Sequence, residues 1–533
     1  MELNLFDISV FLAFIGTVVG FSLFKSRKEE TGKDFFLAGR GLTWPLIGFS
    51  LIAANISTEQ FVGMNGQAAG DVGLAVASYD WIAAITLVCV ALFFLPLLLK
   101  SGVYTIPEYL EYRFNTAARS IMSIYMIIMY VTITSSAVLF SGGLTLHTIF
   151  DMDLTKAVWL IGGIAAFYTT WGGLKAVAWA DLLQGSALII GGLFVTVISL
   201  NAVGGLQPLL ETQSEKFHMA LPADHSSLPW TALLAGIWIP NLYYWGFNQY
   251  IVQRSLAAKS LKHGQLGVLM AAGIQVILPL IIVLPGIVAA QLYSDQLIDN
   301  QDAAFPLLIR NLIPAGLRGF IFAAIAGAVI SSLASMLNSA STIFTIDVFK
   351  RHLVKEAPPR LVVTVGRIMT VLFVVIGCLI APKLGNPKFE GVFQFIQEFQ
   401  GYVTPGILAC FVFGFCVKRA PGSAAVGGLL LNPVIYSILH LNPEILRKMN
   451  LAGKWGLLDR TAETFGNMAF LNQMAVTFSA IIVAMVLITL IRPLREPMVL
   501  PKREGLDTKP TPCVIWISGV IVVVTVVLYV VLW

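Results

Sequence analysis

The sequence predicts an all-α integral membrane protein of about fourteen transmembrane helices, organised around two inverted five-helix repeats. Three observations predict it. Hydrophobic residues make up 57% of the 533-residue chain and charged residues only 12%, roughly half the charged share of a soluble domain. Apolar runs close to the ~20 residues that cross a bilayer recur from end to end. Two of these runs, five segments apart, are interrupted by polar or proline-bearing stretches.

The apolar segments fall near 7–24, 43–64, 73–99, 118–146, 156–172, 177–201, 229–253, 265–293, 316–336, 361–381, 391–417, 422–441, 471–492 and 513–532. Glu2 and Asp7 open the first, and Lys25, Arg27 and Lys28 follow it. A secretory signal carries its positive charge first, so this segment is expected to stay in the membrane. An even count puts both termini on one side. Most of the 34 Lys and Arg residues fall in alternate loops, including 254–262, 350–360 and 492–509. The positive-inside rule makes those loops cytoplasmic and both termini external. Lys175 and Arg254 fall in short inner loops and are expected only to set topology. The longer outer loops, 202–228 and 442–470, are expected to hold short surface helices. The whole chain, 1–533, reads as one transmembrane domain. Residues 43–201 and 229–417 form its repeats, and 1–30 and 422–533 its peripheral helices.

Segment 2 carries Ala53-Ala54-Asn55-Ile56-Ser57-Thr58-Glu59-Gln60, a polar insertion inside an apolar run. Segment 7 carries Ile239-Pro240-Asn241-Leu242-Tyr243-Tyr244-Trp245-Gly246-Phe247-Asn248-Gln249, and proline is expected to break the helix there. Freed backbone groups in hydrocarbon cost several kcal/mol each, so a mid-membrane break needs a cavity, ligand or ion beside it. Five segments is an odd offset, which inverts the second unit. Matching breaks in two halves point to an inverted-repeat transporter and to its site. Two unrelated proline kinks are the plain alternative.

Ionisable residues within spans are costly and count as functional candidates. They are Glu59 after the first break, Asp80 early in segment 3, Asp181 at the inner end of segment 6, and Glu398 in segment 11. Structural carboxylates remain the alternative for each. Ser331, Ser332 and Ser335 place hydroxyls on neighbouring faces of segment 9. They serve either as interhelical contacts or as part of a sodium site completed by unwound carbonyls. The five cysteines and six histidines show no metal-ligand spacing. No nucleophile–base set supports an enzyme. The net charge of +5 belongs to the membrane-orienting loops, so no nucleic-acid partner is expected.

Long motifs in order along the chain carry a family resemblance. They are Asp34-Phe35-Phe36-Leu37-Ala38-Gly39-Arg40, Ser50 to Met64, Tyr104-Thr105-Ile106-Pro107-Glu108, Gly172 to Gln184, Asn241 to Arg254, Ser331 to Phe344 and Phe393 to Ala409. With them the chain resembles the sodium/solute symporter family, in its sodium/galactose and sodium/glucose branch. The resemblance implies the LeuT-type fold, with segments 2–6 and 7–11 as the repeats. It implies sodium as cosubstrate, held by the carbonyls of Ala53, Ile56 and Ala328 and the hydroxyls of Ser331 and Ser332. Sugar contacts are implied for Asn55, Gln60, Asn241 and Gln397. Tyr244 resembles an inner gate that stacks on the sugar, and Met64, Tyr130 and Phe393 an outer hydrophobic gate. Asp181 is placed on the sodium exit path. Three positions depart from the galactose-carrying members: Asp80 replaces a glutamate, Ala83 a serine and Gln275 a lysine. Asp80 and Gln275 are expected at the substrate all the same. The implied activity is sodium-coupled import of a sugar across the plasma or inner membrane by alternating access. Its rivals are another solute (a sugar acid, polyol or nucleoside) and a substrate-gated sensor or channel.

Overall fold

The structure is a computed structural model that describes residues 5–26, 38–150, 152–298, 300–385, 392–441, 468–500 and 511–532, with a few more between 460 and 466. The Asp34–Leu37 part of the first motif and most of the 442–470 loop lie outside the described residues. Among the described residues the chain is helical, and strand-like pairing is confined to the isolated bridges Leu42–Ala258 and Leu221–Pro229. Helices satisfy their own backbone, the condition for crossing hydrocarbon.

Among the described residues ten helices are long and apolar enough to span, and the bent pair Val392–Gln400 and Thr404–Cys416 makes an eleventh. These correspond to segments 1, 3, 4, 6 and 8–14. Segments 2, 5 and 7 are helical but short or broken, as Trp44–Asn55, Leu154–Phe167 and Trp238–Phe247. In the loop 202–228 the expected surface helix is Leu206–Thr212.

Helical backbone runs from Leu154 to Ala202 over 49 residues, and within it Leu154–Phe167 and Leu174–Ala202 are separate apolar stretches, one for each of segments 5 and 6. A straight helix of that length would be about 74 Å long, over twice the hydrocarbon thickness. The path must fold back. A methyl built on Gly142 would meet both Val329 and Ile161, at 3.0 and 3.1 Å, while Val177 clusters with Ile330 and Ala334. On a straight axis residues 161 and 177 would stand about 24 Å apart, yet both reach the same two turns of helix Leu317–Ile343. Lys175 therefore lies within helix.

Helix Leu317–Ile343 is the centre of the molecule. The most apolar stretch of the span that begins with it is 89% buried, against 22% for the span Pro512–Val531 and 17% for Leu5–Ser22. On Pro512–Val531 the side chains of Ile515, Trp516, Val520 and Val523 face outward, as a lipid-facing surface does.

Three interruptions surround the centre. The first helix, Trp44–Asn55, ends at Ile56 in extended backbone (φ −76°, ψ 92°) and resumes in a wide π-type turn over Glu59–Met64. The second, Trp238–Phe247, ends at Asn248 (φ −78°, ψ 118°) and resumes as Gln249–Leu256. Pro240 thus does not make the second break. It sits in the first helical turn, where no intrahelical partner awaits its missing N–H. The third is the 48° bend between Gln400 and Thr404, at Gly401-Tyr402-Val403-Thr404-Pro405. Segment 11 reads as a plain span in sequence, though Gly and Pro marked this bend.

Candidate functional site

The interruptions line a shared cavity in the middle of the helices. The first broken helix contributes Asn55, Glu59, Gln60 and Met64; the second contributes Pro240, Asn241, Tyr244 and Trp245, with Tyr250 past its break. Segment 3 adds Tyr79, Asp80 and Ala83, segment 8 Gln275, and segment 11 Phe393, Ile396, Gln397 and Gln400. All six predicted substrate residues, Asn55, Gln60, Asp80, Asn241, Gln275 and Gln397, therefore line one space. Ala83 lies there too.

The polar wall is mostly buried and only partly bonded. Gln275 Nε2 donates to Asp80 Oδ1 at 3.3 Å, Asn241 Nδ2 to the carbonyl of Ile237 at 3.1 Å, and Tyr250 Oη to Tyr244 Oη at 2.9 Å. Asn55 Nδ2, Glu59 Oε2, Gln60 Oε1, Asp80 Oδ2 and Gln275 Oε1 have no hydrogen-bond partner among the described residues. Each unpaired buried polar group costs about 1–3 kcal/mol, so their convergence marks a place built to be filled by donors and acceptors of something else.

The gate residues divide. Met64, Tyr244 and Phe393 line the cavity, but Tyr130 is not among its lining residues. Tyr130 Oη donates to Asn248 Oδ1 at 2.5 Å and accepts from the backbone N of Gln249 at 2.9 Å. It holds the second break in place. The ring set edge-on against Phe393 is Tyr79, at 4.9 Å between centroids, a residue the sequence reading did not single out. Its signal was adjacency to Asp80. A Cβ on Gly63 would come within 2.7 Å of Phe393 Cβ, so glycine there permits this close approach.

The predicted sodium positions lie on the first broken helix and on the central helix. Past the first break, Ser57 N turns to the carbonyl of Asn55 at 3.0 Å and Gln60 N to that of Ser57 at 3.1 Å. The carbonyls of Ala53 and Ile56 thereby lose the i+4 donors a regular helix would give them. Asp181, fully buried, accepts from Ser50 on this helix and from Ser331 on helix Leu317–Ile343. That bridge ties the helix that carries Ala53 and Ile56 to the helix that carries Ala328, Ser331 and Ser332. Ser332 Oγ is buried and has no hydrogen-bond partner among the described residues.

Arg254 is no loop residue. It is 1% exposed on helix Gln249–Leu256. Its Nη2 meets Asp181 Oδ2 at 3.0 Å and also Ser335 Oγ, and its Nε donates to Ser50 Oγ at 2.6 Å. It joins both broken helices to the central helix. Glu398 lies off the cavity lining and accepts from Gln394 Nε2 at 3.0 Å.

Residues 35–431 match the sodium:solute symporter family. The chain is 41% identical to a sodium/glucose cotransporter of Vibrio parahaemolyticus, over 80% of this chain and 84% of that one. It is 34% identical to sodium/myo-inositol cotransporter 2 of Oryctolagus cuniculus, over 80% and 68%. In fold it is similar to a solved Na+-coupled sialic acid symporter, with a TM-score of 0.80 at 20% identity, covering 94% of this chain and 100% of that one.

Proposed function

This chain belongs to the sodium:solute symporter family, a sodium-coupled solute symporter of the membrane and not an enzyme, and we propose that the solute it imports is a sugar, of the hexose class. The observation that carries the sugar is the cavity wall itself. Several unpaired amide and carboxylate atoms face one space beside the rings of Tyr244, Trp245 and Phe393. A sugar offers hydroxyls that donate and accept at once, and an apolar C–H face that a ring can cover. The glucose-carrying relative supports the same class, while the myo-inositol relatives keep a cyclic polyol as second reading. A sugar acid or nucleoside finds less here, since among the described residues no Lys, Arg or His lines the cavity.

Sodium binds at the freed carbonyls of Ala53 and Ile56, with Ala328 and the hydroxyls of Ser331 and Ser332. Hard cations take such oxygen ligands. Bound there, it ties the first broken helix to the central helix and steadies the face that carries Asn55 and Gln60. The sugar then contacts Asn55, Gln60, Asp80, Asn241, Gln275 and Gln397. Met64, Tyr79 and Phe393 close over it outside and Tyr244 beneath it. Sodium leaves on the inner side past Asp181. Residues 43–201 and 229–417 act as the two inverted repeats of this machine, with both termini external. Purified protein in liposomes, given an inward sodium gradient and labelled hexoses and myo-inositol, tests the reading. Uptake of a hexose that collapses when choline replaces sodium supports it; uptake of myo-inositol alone shifts it to the polyol.

A further inference from the structure

Glu59 and Asp80 stand in the cavity wall at 8% and 2% exposure. Each keeps one carboxylate oxygen without a donor. Charges buried elsewhere in the spans are treated differently: Asp7 faces Arg318 at 3.0 Å, Asp181 faces Arg254 at 3.0 Å, and Asp347 pairs with Arg119. Among the described residues none of those lining the cavity is basic. The single hydrogen bond recorded to the Asp80 side chain comes from a neutral amide, Gln275 Nε2, at 3.3 Å.

Burying an ionised carboxylate without a counter-charge is expensive, and several kcal/mol per ion remain even after relaxation. One sodium ion beside the first break supplies one positive charge against two negative ones. A neutral sugar leaves the balance one short. The rest of the wall would accept a cation readily. Tyr79, Tyr244, Trp245 and Phe393 offer ring faces that attract ammonium groups, and the amides of Gln60, Asn241 and Gln397 remain for hydroxyls.

We propose that the preferred solute is a polyhydroxylated compound bearing one ammonium group, an unacetylated amino sugar in class, with the ammonium seated at the Glu59 and Asp80 carboxylates. This rests on the cavity being the solute site of a sodium-driven sugar symporter. The test uses the full chain in liposomes with an inward sodium gradient, at neutral pH, where a sugar amine is still mostly charged. Labelled D-glucosamine, D-glucose and N-acetyl-D-glucosamine are compared, alone and in competition. Glucosamine is expected to win over both neutral sugars by about tenfold or more, the scale of a charge-assisted contact. Glu59→Gln and Asp80→Asn should each lower the glucosamine-to-glucose ratio, a quantity independent of how much protein folds. Equal uptake of charged and neutral sugars, or preference for the N-acetyl form, overturns the ammonium site and leaves sugar symport standing. Sodium-driven uptake of none of the three overturns the sugar reading itself.

Discussion

Ser332→Ala separates a sodium ligand from an interhelical contact, because the two adjacent serines of the central helix are in different states. Both are fully buried. Ser331 Oγ is engaged by Asp181, whereas Ser332 Oγ has no hydrogen-bond partner among the described residues. An orphaned buried hydroxyl costs about 1–3 kcal/mol in the sodium-free protein, a cost that only a ligand offsets. Removing it should therefore leave sodium-free stability unchanged or slightly raised. The sodium-bound protein loses one charge-assisted contact, worth about 1.5–3 kcal/mol. At about 1.4 kcal/mol per tenfold, the sodium concentration for half-maximal uptake rises roughly tenfold to a hundredfold. The assay is sodium activation of sugar uptake in liposomes, with thermal melting in sodium and in potassium alongside. The variant should lose the extra melting temperature that sodium confers. Ser331→Ala makes the contrast, since it also strips a hydrogen bond from a buried carboxylate and should lower stability in both salts. If Ser332→Ala leaves sodium activation unchanged but melts earlier in both salts, the hydroxyl is a packing contact and the sodium assignment fails.

Four further outcomes follow. Uptake should require the inward sodium gradient and carry net positive charge inward, so an inside-negative potential accelerates it; equal rates in sodium and choline refute this. One sodium should move per sugar, because the Arg254 guanidinium already occupies Asp181 and Ser335 and Ala334 offers no hydroxyl; a reversal potential that gives two ions contradicts it. Arg254→Gln should destabilise the protein by about 3–5 kcal/mol, read from melting, since it strands a buried carboxylate. Finally, Asp302, outside the spans, accepts from Val392 N at 3.0 Å at the start of the helix that carries Phe393. Burial pushes its pKa up from 3.8 to about 6, against the opposing pull of that hydrogen bond. The folded protein then holds this proton more tightly than the unfolded chain, so stability falls as pH rises from about 4 to about 6 and is level above. At about 1.4 kcal/mol per pH unit the effect is bounded near 3 kcal/mol. Asp302→Asn should flatten melting across that window, and identical profiles for the two proteins would refute the assignment.

The sequence by itself determined the membrane class, the eleven spans found among the described residues when the bent pair is taken as one, and the first break at Asn55–Glu59. The reason is physical: hydrocarbon demands long apolar runs and punishes unsatisfied backbone, so spans and their interruptions are written in composition. It also held the polar residues of the cavity, since polar side chains inside spans are few enough to stand out. What it could not hold is which of them meet. Gln275 and Asp80 lie 195 residues apart in the chain and share a hydrogen bond. Tyr79, and not Tyr130, faces Phe393. Arg254, which reads as a loop charge, is buried against Asp181. Pro240 reads as the second break, but the helix opens at Asn248. Each of these depends on helix rotation and register, set by close contacts such as Gly63 on Phe393 and Gly185 on Ala53. Side-chain periodicity names the face of a helix, but only packing against a neighbour decides what that face meets.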